Sequence, residues 1–301
     1  MTFISGTPLY NVWFGQHLNG ASPDKTRAIE GIASAMILLD KFPFRTGGSL
    51  LFGSDGNPTK VGPMRRVDHK AMLDRWFLHN DPDDDPIYVE CAATSDPKAY
   101  YTFMLDMHPE QNPIPKGLAM LLRQLISWIP EPSGMDPFVL AHPDFDIQNF
   151  IVSEEGELQG IIDWDGVSAV PRTLAMYGYK ESMEHGVEPE GVWEDSPGCL
   201  AYDRGVYNKI MARLRVERGR SSDINLCRMS LITDNLAIAA EDPQCRNEIL
   251  RKLVHEIWTA VGQGKEPDFT EVADMFVESN LDITVMETLS KGFCDLLSKA
   301  N

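Results

Sequence analysis

The sequence predicts an α+β protein, mainly α-helical, with small β-hairpins that carry a candidate site. Three observations lead there. Behind residue 200, apolar positions recur at helical spacing almost without interruption. Between Phe138 and Asp163, short apolar runs rich in β-branched residues flank a Gly-containing polar turn, the pattern of a β-hairpin. Repeats, low-complexity stretches and linkers are absent from the 301 residues, so the chain reads as one domain, 1–301. Its candidate site segment is about 137–170, and its helical region 171–301.

The elements follow in chain order. Pro23-Asp24 opens a helix through Leu39, with Ile29, Ile32, Ala33, Met36 and Ile37 at helical spacing. Phe44 to Gly56 is glycine-rich, but its glycines do not follow a Gly-x-Gly-x-x-Gly order. It reads as a strand, a turn at Asp55-Gly-Asn-Pro58 and a returning strand through Pro63 that carries Lys60. Asp68 to Leu78 reads as a second helix, and Ile87 to Met107 and Leu118 to Trp128 as two more. Phe138-Val-Leu-Ala forms a strand leading into His142. Phe150-Ile-Val and Leu158-Gln-Gly-Ile-Ile-Asp163 are the two arms of the hairpin, joined through Ser153-Glu-Glu-Gly-Glu. Helices follow at 200–216, 223–240, 247–261, 269–278 and 282–297.

Composition narrows the function classes. A net charge of −18 and a pI near 4.7 oppose nucleic-acid binding, which needs clustered Lys and Arg. The same charge opposes anionic membrane surfaces and suits a cationic small molecule such as an amine. Asp81-Pro-Asp-Asp-Asp-Pro86 reads as a solvated loop. Five scattered cysteines and no charged-then-apolar leader fit a cytoplasmic protein. No run of 18 apolar residues is present, and the histidines lack metal-ligand spacing.

Chemistry concentrates in two segments. The first is His142-Pro-Asp144-Phe-Asp146-Ile-Gln-Asn149; the second is Ile161-Ile-Asp163-Trp-Asp165-Gly. The predicted hairpin brings Asn149 and Asp163 to neighbouring strand ends. Phosphoryl transfer needs such a set: an Asp to accept the proton of the attacking hydroxyl, and an Asn and a second Asp to hold magnesium. Hard oxygen ligands suit that ion. The plainer expectation is that Asp and Asn stand in turns because their side chains bond nearby backbone.

These two segments resemble the catalytic and metal-binding motifs of the aminoglycoside phosphotransferase and choline-kinase-like superfamily, in particular its fungal phosphotransferase-domain branch. The resemblance implies a protein-kinase-like large lobe, a transferase using ATP and Mg2+, and a small-molecule hydroxyl as acceptor. It implies Asp144 as catalytic base, His142 as the brace of its loop, and Asn149 and Asp163 as metal ligands. Asp165 matches an acidic residue that often follows the metal Asp. Pro143 stands where bacterial relatives usually carry Gly, which tightens the loop. The resemblance implies acceptor contacts from later acidic residues, with Glu181, Glu184, Glu188, Glu190, Asp234 and Glu241 as candidates by location.

The resemblance is incomplete before His142. No Val-Ala-Ile-Lys-like strand surrounds Lys25, Lys41, Lys60 or Lys70, and no nucleotide-binding residue is assigned. Met1 to Tyr10 resembles the segment that joins the two lobes in this family, so most of a small lobe is expected to be missing. That gap leaves a second expectation, a non-catalytic binding or regulatory protein. A third treats Asp163-Trp-Asp165 as the metal clamp of a sugar-nucleotide transferase. Oligomeric state and the acceptor stay open.

Overall fold

Short antiparallel strands form a platform within residues 7–171, and long helices, most of them beyond residue 196, stack beside it. The computed structural model describes residues 4–14, 25–107, 109–110, 112–131, 135–174, 197–219, 224–262, 266–278, 280 and 282–298. Among the described residues the architecture is α+β with three antiparallel sheets.

β1 (Thr7–Pro8) and α1 (Leu9–Phe14) lead to α2 (Lys25–Met36), which a 3-10 segment extends over Ile37–Lys41. Pro23-Asp24 lies outside the described residues. Ala28, Ile29, Ile32, Ala33 and Met36 are the buried face of α2, as their spacing predicts. Gly31 allows the helix to lie close on the later hairpin. A Cβ there would stand 2.8 Å from Leu158 Cβ, too near for any other residue without movement.

β2 (Pro43–Phe44), β3 (Gly48–Phe52), β4 (Pro58–Val61), β7 (Phe138–Ala141) and β10 (Ser168–Pro171) form one sheet in the order β2-β7-β10-β3-β4. The expected hairpin around Asp55 is β3 with β4, and Lys60 is exposed on it opposite Leu51. β1, β8 (Phe150–Val152) and β9 (Leu158–Ile161) form a second sheet. β5 (Met64–Val67) and β6 (Tyr88–Cys91) pair alone. Between them lies α3 (His69–Leu78), whose N-cap Asp68 accepts a hydrogen bond from the Ala71 amide at 2.8 Å.

Three sequence expectations change. The single helix over 87–107 is instead β6 followed by α4 (Pro97–Met107). Tyr88-Val-Glu-Cys pairs with β5 and turns Val89 into the core, while Pro97 lacks an N–H and can only begin a helix. Asp96 completes that start by accepting from the Lys98 amide at 2.8 Å. β10 has no counterpart among the expected elements. Ser-Ala-Val-Pro is too short to show a period, yet it lies between β7 and β3 in the sheet. The returning arm of the hairpin ends at Ile161 rather than Asp163, because Asp163 has φ +62 and has left the extended region.

The helical half comprises α5 (Pro113–Ser127), α6 (Pro197–Glu217), α7 (Ile224–Glu241), α8 (Pro243–Val261), α9 (Phe269–Glu278) and α10 (Ile283–Ser298). α8 shows why its ends fall where they do. Asp242 caps its first turn, Pro243 begins it, and Gly262 ends it at φ +64. One apolar core surrounds the sheets, α2 and α6, and a second fills the space among α5, α7, α8, α9 and α10. Leu174, just beyond β10, packs against both.

A buried ionic cluster fastens the first core. Asp40, on the 3-10 segment, meets Arg172 at 3.0 Å and Arg215 of α6 at 3.9 Å, and all three side chains are only 3 % exposed. Arg172 also donates to the Asp136 carbonyl at 2.6 Å. Removing the carboxylate would take its negative charge from between two buried guanidinium groups. Asp40→Ala is therefore expected to lower stability by about 3–5 kcal/mol, read from urea unfolding.

A second buried link joins α4 to α7. Tyr101 and Thr173 share a hydrogen bond of 2.6 Å, and the Thr233 hydroxyl reaches the Thr173 carbonyl at 2.5 Å. Burial pushes the Tyr101 phenol well above its ordinary value of 10.0. The unfolded chain thus releases this proton at lower pH than the folded chain, so the stability it contributes is present below 10.0 and lost as pH rises beyond it. Urea midpoints taken from about pH 8 to about pH 11 are expected to fall more steeply for the native protein than for Tyr101→Phe.

Candidate active site

Two strand pairings place both candidate segments at one end of the sheets. Ala141, the last residue of β7, pairs with Ser168, the first of β10. Phe150, the first residue of β8, pairs with Ile161, the last of β9. The loop 142–149 leaves from one pairing and enters the other, and the loop 162–167 does the reverse. They are therefore neighbours at both of their ends.

The Ile162 peptide joins them directly. Its N–H donates to the Asn149 carbonyl at 2.9 Å, and its carbonyl accepts from His142 Nε2 at 2.8 Å. On the other side of the ring, the Asp144 amide donates to His142 Nδ1 at 3.1 Å. Nδ1 must then be the acceptor and Nε2 carry the proton, which assigns one neutral tautomer. His142 is buried, and the edge of its ring meets Trp164 with 4.5 Å between centroids. Trp164 is itself held by its Nε1–H on the Ile161 carbonyl at 2.9 Å. Phe145 anchors the first loop from below, against Phe150 and Tyr207.

The carboxylates separate into different kinds. Asp146 behaves as a turn residue: its Oδ1 accepts from the Gln148 amide at 3.1 Å and caps the 3-10 segment Ile147–Asn149. The Asp144 carboxylate is held by side chains of its loop rather than by a backbone amide. Its Oδ2 accepts from Asn149 Nδ2 at 3.0 Å and from Gln148 Nε2 at 3.3 Å, while among the described residues no hydrogen bond engages Oδ1. One carboxylate oxygen is thus fixed by two side-chain amides. Asn149 is buried, and its Nδ2 also donates to the Asp144 carbonyl at 2.9 Å. With the amide nitrogen committed, Oδ1 is the atom of this side chain that could face a cation.

Asp163 and Asp165 are exposed. Asp163 holds a left-handed backbone, φ +62, one of two such non-glycine residues among those described. Among the described residues, nothing hydrogen-bonds its carboxylate to offset this conformation. Asn149 Oδ1 and Asp163 offer hard oxygens of the kind magnesium takes. Among the described residues, no group of three or more His, Cys, Asp or Glu is arranged to hold a metal ion. An ion held here would complete its shell with water and phosphate oxygens.

Gln148 and the Ile162 peptide are absent from the sequence-derived set. Gln148 stands four residues after Asp144 inside the motif, which was the available signal. The role of Ile162 is carried by its backbone and leaves no trace in residue type. Of the acceptor candidates, Glu181, Glu184, Glu188 and Glu190 lie outside the described residues. Glu241 faces Arg66 at 3.7 Å, and Asp234 lies 3.5 Å from the Ser230 hydroxyl. A cleft of about 420 Å3 among α5, α8 and α9 includes none of the candidate residues.

No protein-family model, curated protein or solved structure matches the chain.

The strained backbone at Asp163 has a measurable consequence. Asp163→Gly is expected to leave stability unchanged or raise it by up to about 1 kcal/mol, since glycine adopts positive φ freely. Asp163→Val is expected to lower it by about 1–2 kcal/mol, because a β-branched residue fits this region poorly. Chemical denaturation of the two variants checks both signs.

Proposed function

We propose that this chain is an ATP- and Mg2+-dependent phosphotransferase of protein-kinase-like ancestry, acting on a hydroxyl group of a small molecule. The observation that carries the reading is the state of Asp144. One of its oxygens is held by Asn149 and Gln148, the other meets no hydrogen-bond partner among the described residues, and Asn149 and Asp163 stand just beyond the paired ends of β8 and β9. The resemblance to the aminoglycoside phosphotransferase and choline-kinase-like superfamily supports the same reading.

In this proposal Asp144 Oδ1 accepts the acceptor hydroxyl's proton as that oxygen bonds to the γ-phosphorus and the bond to ADP breaks. His142 acts through the backbone, fixing the Asp144 amide to one face of its ring and the Ile162 carbonyl to the other. Asn149 orients Asp144 through Nδ2 and would present Oδ1 to magnesium. Asp163 would supply the charged ligand. Magnesium, when bound, would neutralise the triphosphate. The net charge of −18 favours a cationic acceptor.

Calorimetry with ATP, with and without Mg2+, tests the reading first. Saturable binding that requires Mg2+ is expected, and Asp163→Ala is expected to weaken it. Asp144→Asn should retain nucleotide binding while lowering turnover by about 10²–10⁴-fold, the usual effect of removing a general base. A folded chain that binds no Mg2+-ATP would support a non-catalytic role instead.

A further inference from the structure

α3 is built the wrong way round for a surface helix. Leu73, Trp76 and Phe77 follow the i, i+3, i+4 spacing of a single face, and that face points outward. Phe77 is 75 % exposed, Leu78 69 % and Leu73 48 %. None of the described side chains of α3 is buried. The helix stands outside the main packing of helices and strands. Scattered exposed apolar residues are ordinary, but a contiguous apolar stripe on one element marks an interaction surface.

The loop that follows is fastened to this helix. Arg75 reaches Asp83 at 3.3 Å and the Asp85 carbonyl at 2.7 Å, and Trp76 Nε1 donates to the Asp83 carbonyl at 2.9 Å. Within the loop, Asp81 accepts from the Asp83 amide and Asp83 from the Asp85 amide. These bonds hold an acidic rim beside the apolar stripe. From Lys70 to Asp85 the chain carries five carboxylates and two cations, Lys70 and Arg75. Both cations are already engaged, with Asp74 and Asp83.

We propose that the outward face of α3 and the acidic loop 81–86 form a docking surface for a basic amphipathic helix of a protein partner. The apolar stripe would receive the partner's apolar face, and the carboxylates its flanking Lys or Arg residues. Charge selects this occupant over the others. A second copy would set one acidic rim against another on chains of net charge −18. An anionic membrane would be repelled by the same rim. The inference stands apart from the catalytic reading, because it uses none of its residues.

The probe is a designed Lys/Leu amphipathic peptide about 18 residues long, five helical turns. A Glu/Leu peptide of the same pattern and a Lys/Ser peptide without the stripe are the controls. Fluorescence anisotropy is expected to show saturable binding of the Lys/Leu peptide alone, weakened by added salt. The double variant Phe77→Ser/Leu78→Ser is expected to raise its Kd by about tenfold or more. Asp84 takes part in none of the bonds that fasten the loop, so Asp84→Lys is expected to raise Kd about three- to tenfold without disturbing the fold. Unchanged circular dichroism in both variants is the accompanying control. No saturable binding of the Lys/Leu peptide, or equal binding by both variants, overturns the proposal. So does a concentration-dependent dimer that Phe77→Ser/Leu78→Ser dissolves, or binding to phosphatidylserine vesicles that the same variant loses.

Discussion

The pairing of β7 with β10 is the constraint on which the site depends. It returns the chain, after the β8–β9 hairpin, to within one strand spacing of where it left. Without it, His142 and Asp163 would sit on segments free to diverge. With it, a single peptide, that of Ile162, can bond Asn149 on one side and His142 on the other. The candidate groups are thus held by backbone at four points, and the side chains need only small adjustments to meet. This is the arrangement that precise positioning asks for, since a misplacement of about 1 Å can cost much of a catalytic rate.

The surroundings hold that end of the sheets still by two different means. Apolar packing supplies the bulk: Phe145 and Phe150 sit in the core with Tyr207, and α2 lies close on β9 at Gly31. Buried polar links then tie the elements in one register. Asp40 with Arg172 and Arg215 joins the 3-10 segment, the exit of β10 and α6. Tyr101, Thr173 and Thr233 join that same exit to α4 and α7. Both networks converge on residues 172–173, directly behind the strand that positions the second candidate loop. Ionic and hydrogen-bonded contacts of this kind add little net stability over apolar packing, but they tolerate no substitute geometry.

Against this ordered background, the features that stability does not explain become visible. Asp163 accepts an unfavourable backbone and gives its carboxylate to solvent. Among the described residues, Asp144 keeps one oxygen unengaged in a loop where the neighbouring Asp146 caps its own turn in the ordinary way. α3 turns its apolar stripe outward. Strain and exposed apolar surface of this sort persist where function requires them.

Much of this was written locally in the sequence. The α2 face, the β3–β4 and β8–β9 hairpins and the C-terminal helices follow from periodicity, caps and turn residues that act within a few positions. The His142–Asn149 and Ile161–Gly166 segments were legible for the same reason, as fixed spacings of particular residue types. What lay beyond reach were relations between distant segments. β10 is four residues without a period, and only its two neighbours make it a strand. β6 was absorbed into a helix because its partner β5, far back in the chain, is what favours the extended form. The outward stripe of α3 has a spacing that any buried face would share, so direction could not be read from it. Spacing and residue type, local properties, were determined by the sequence alone. Which segments meet, which face turns inward and which carboxylate stays unengaged were decided by the tertiary structure, because each depends on the burial and hydrogen bonds offered by residues remote in the chain.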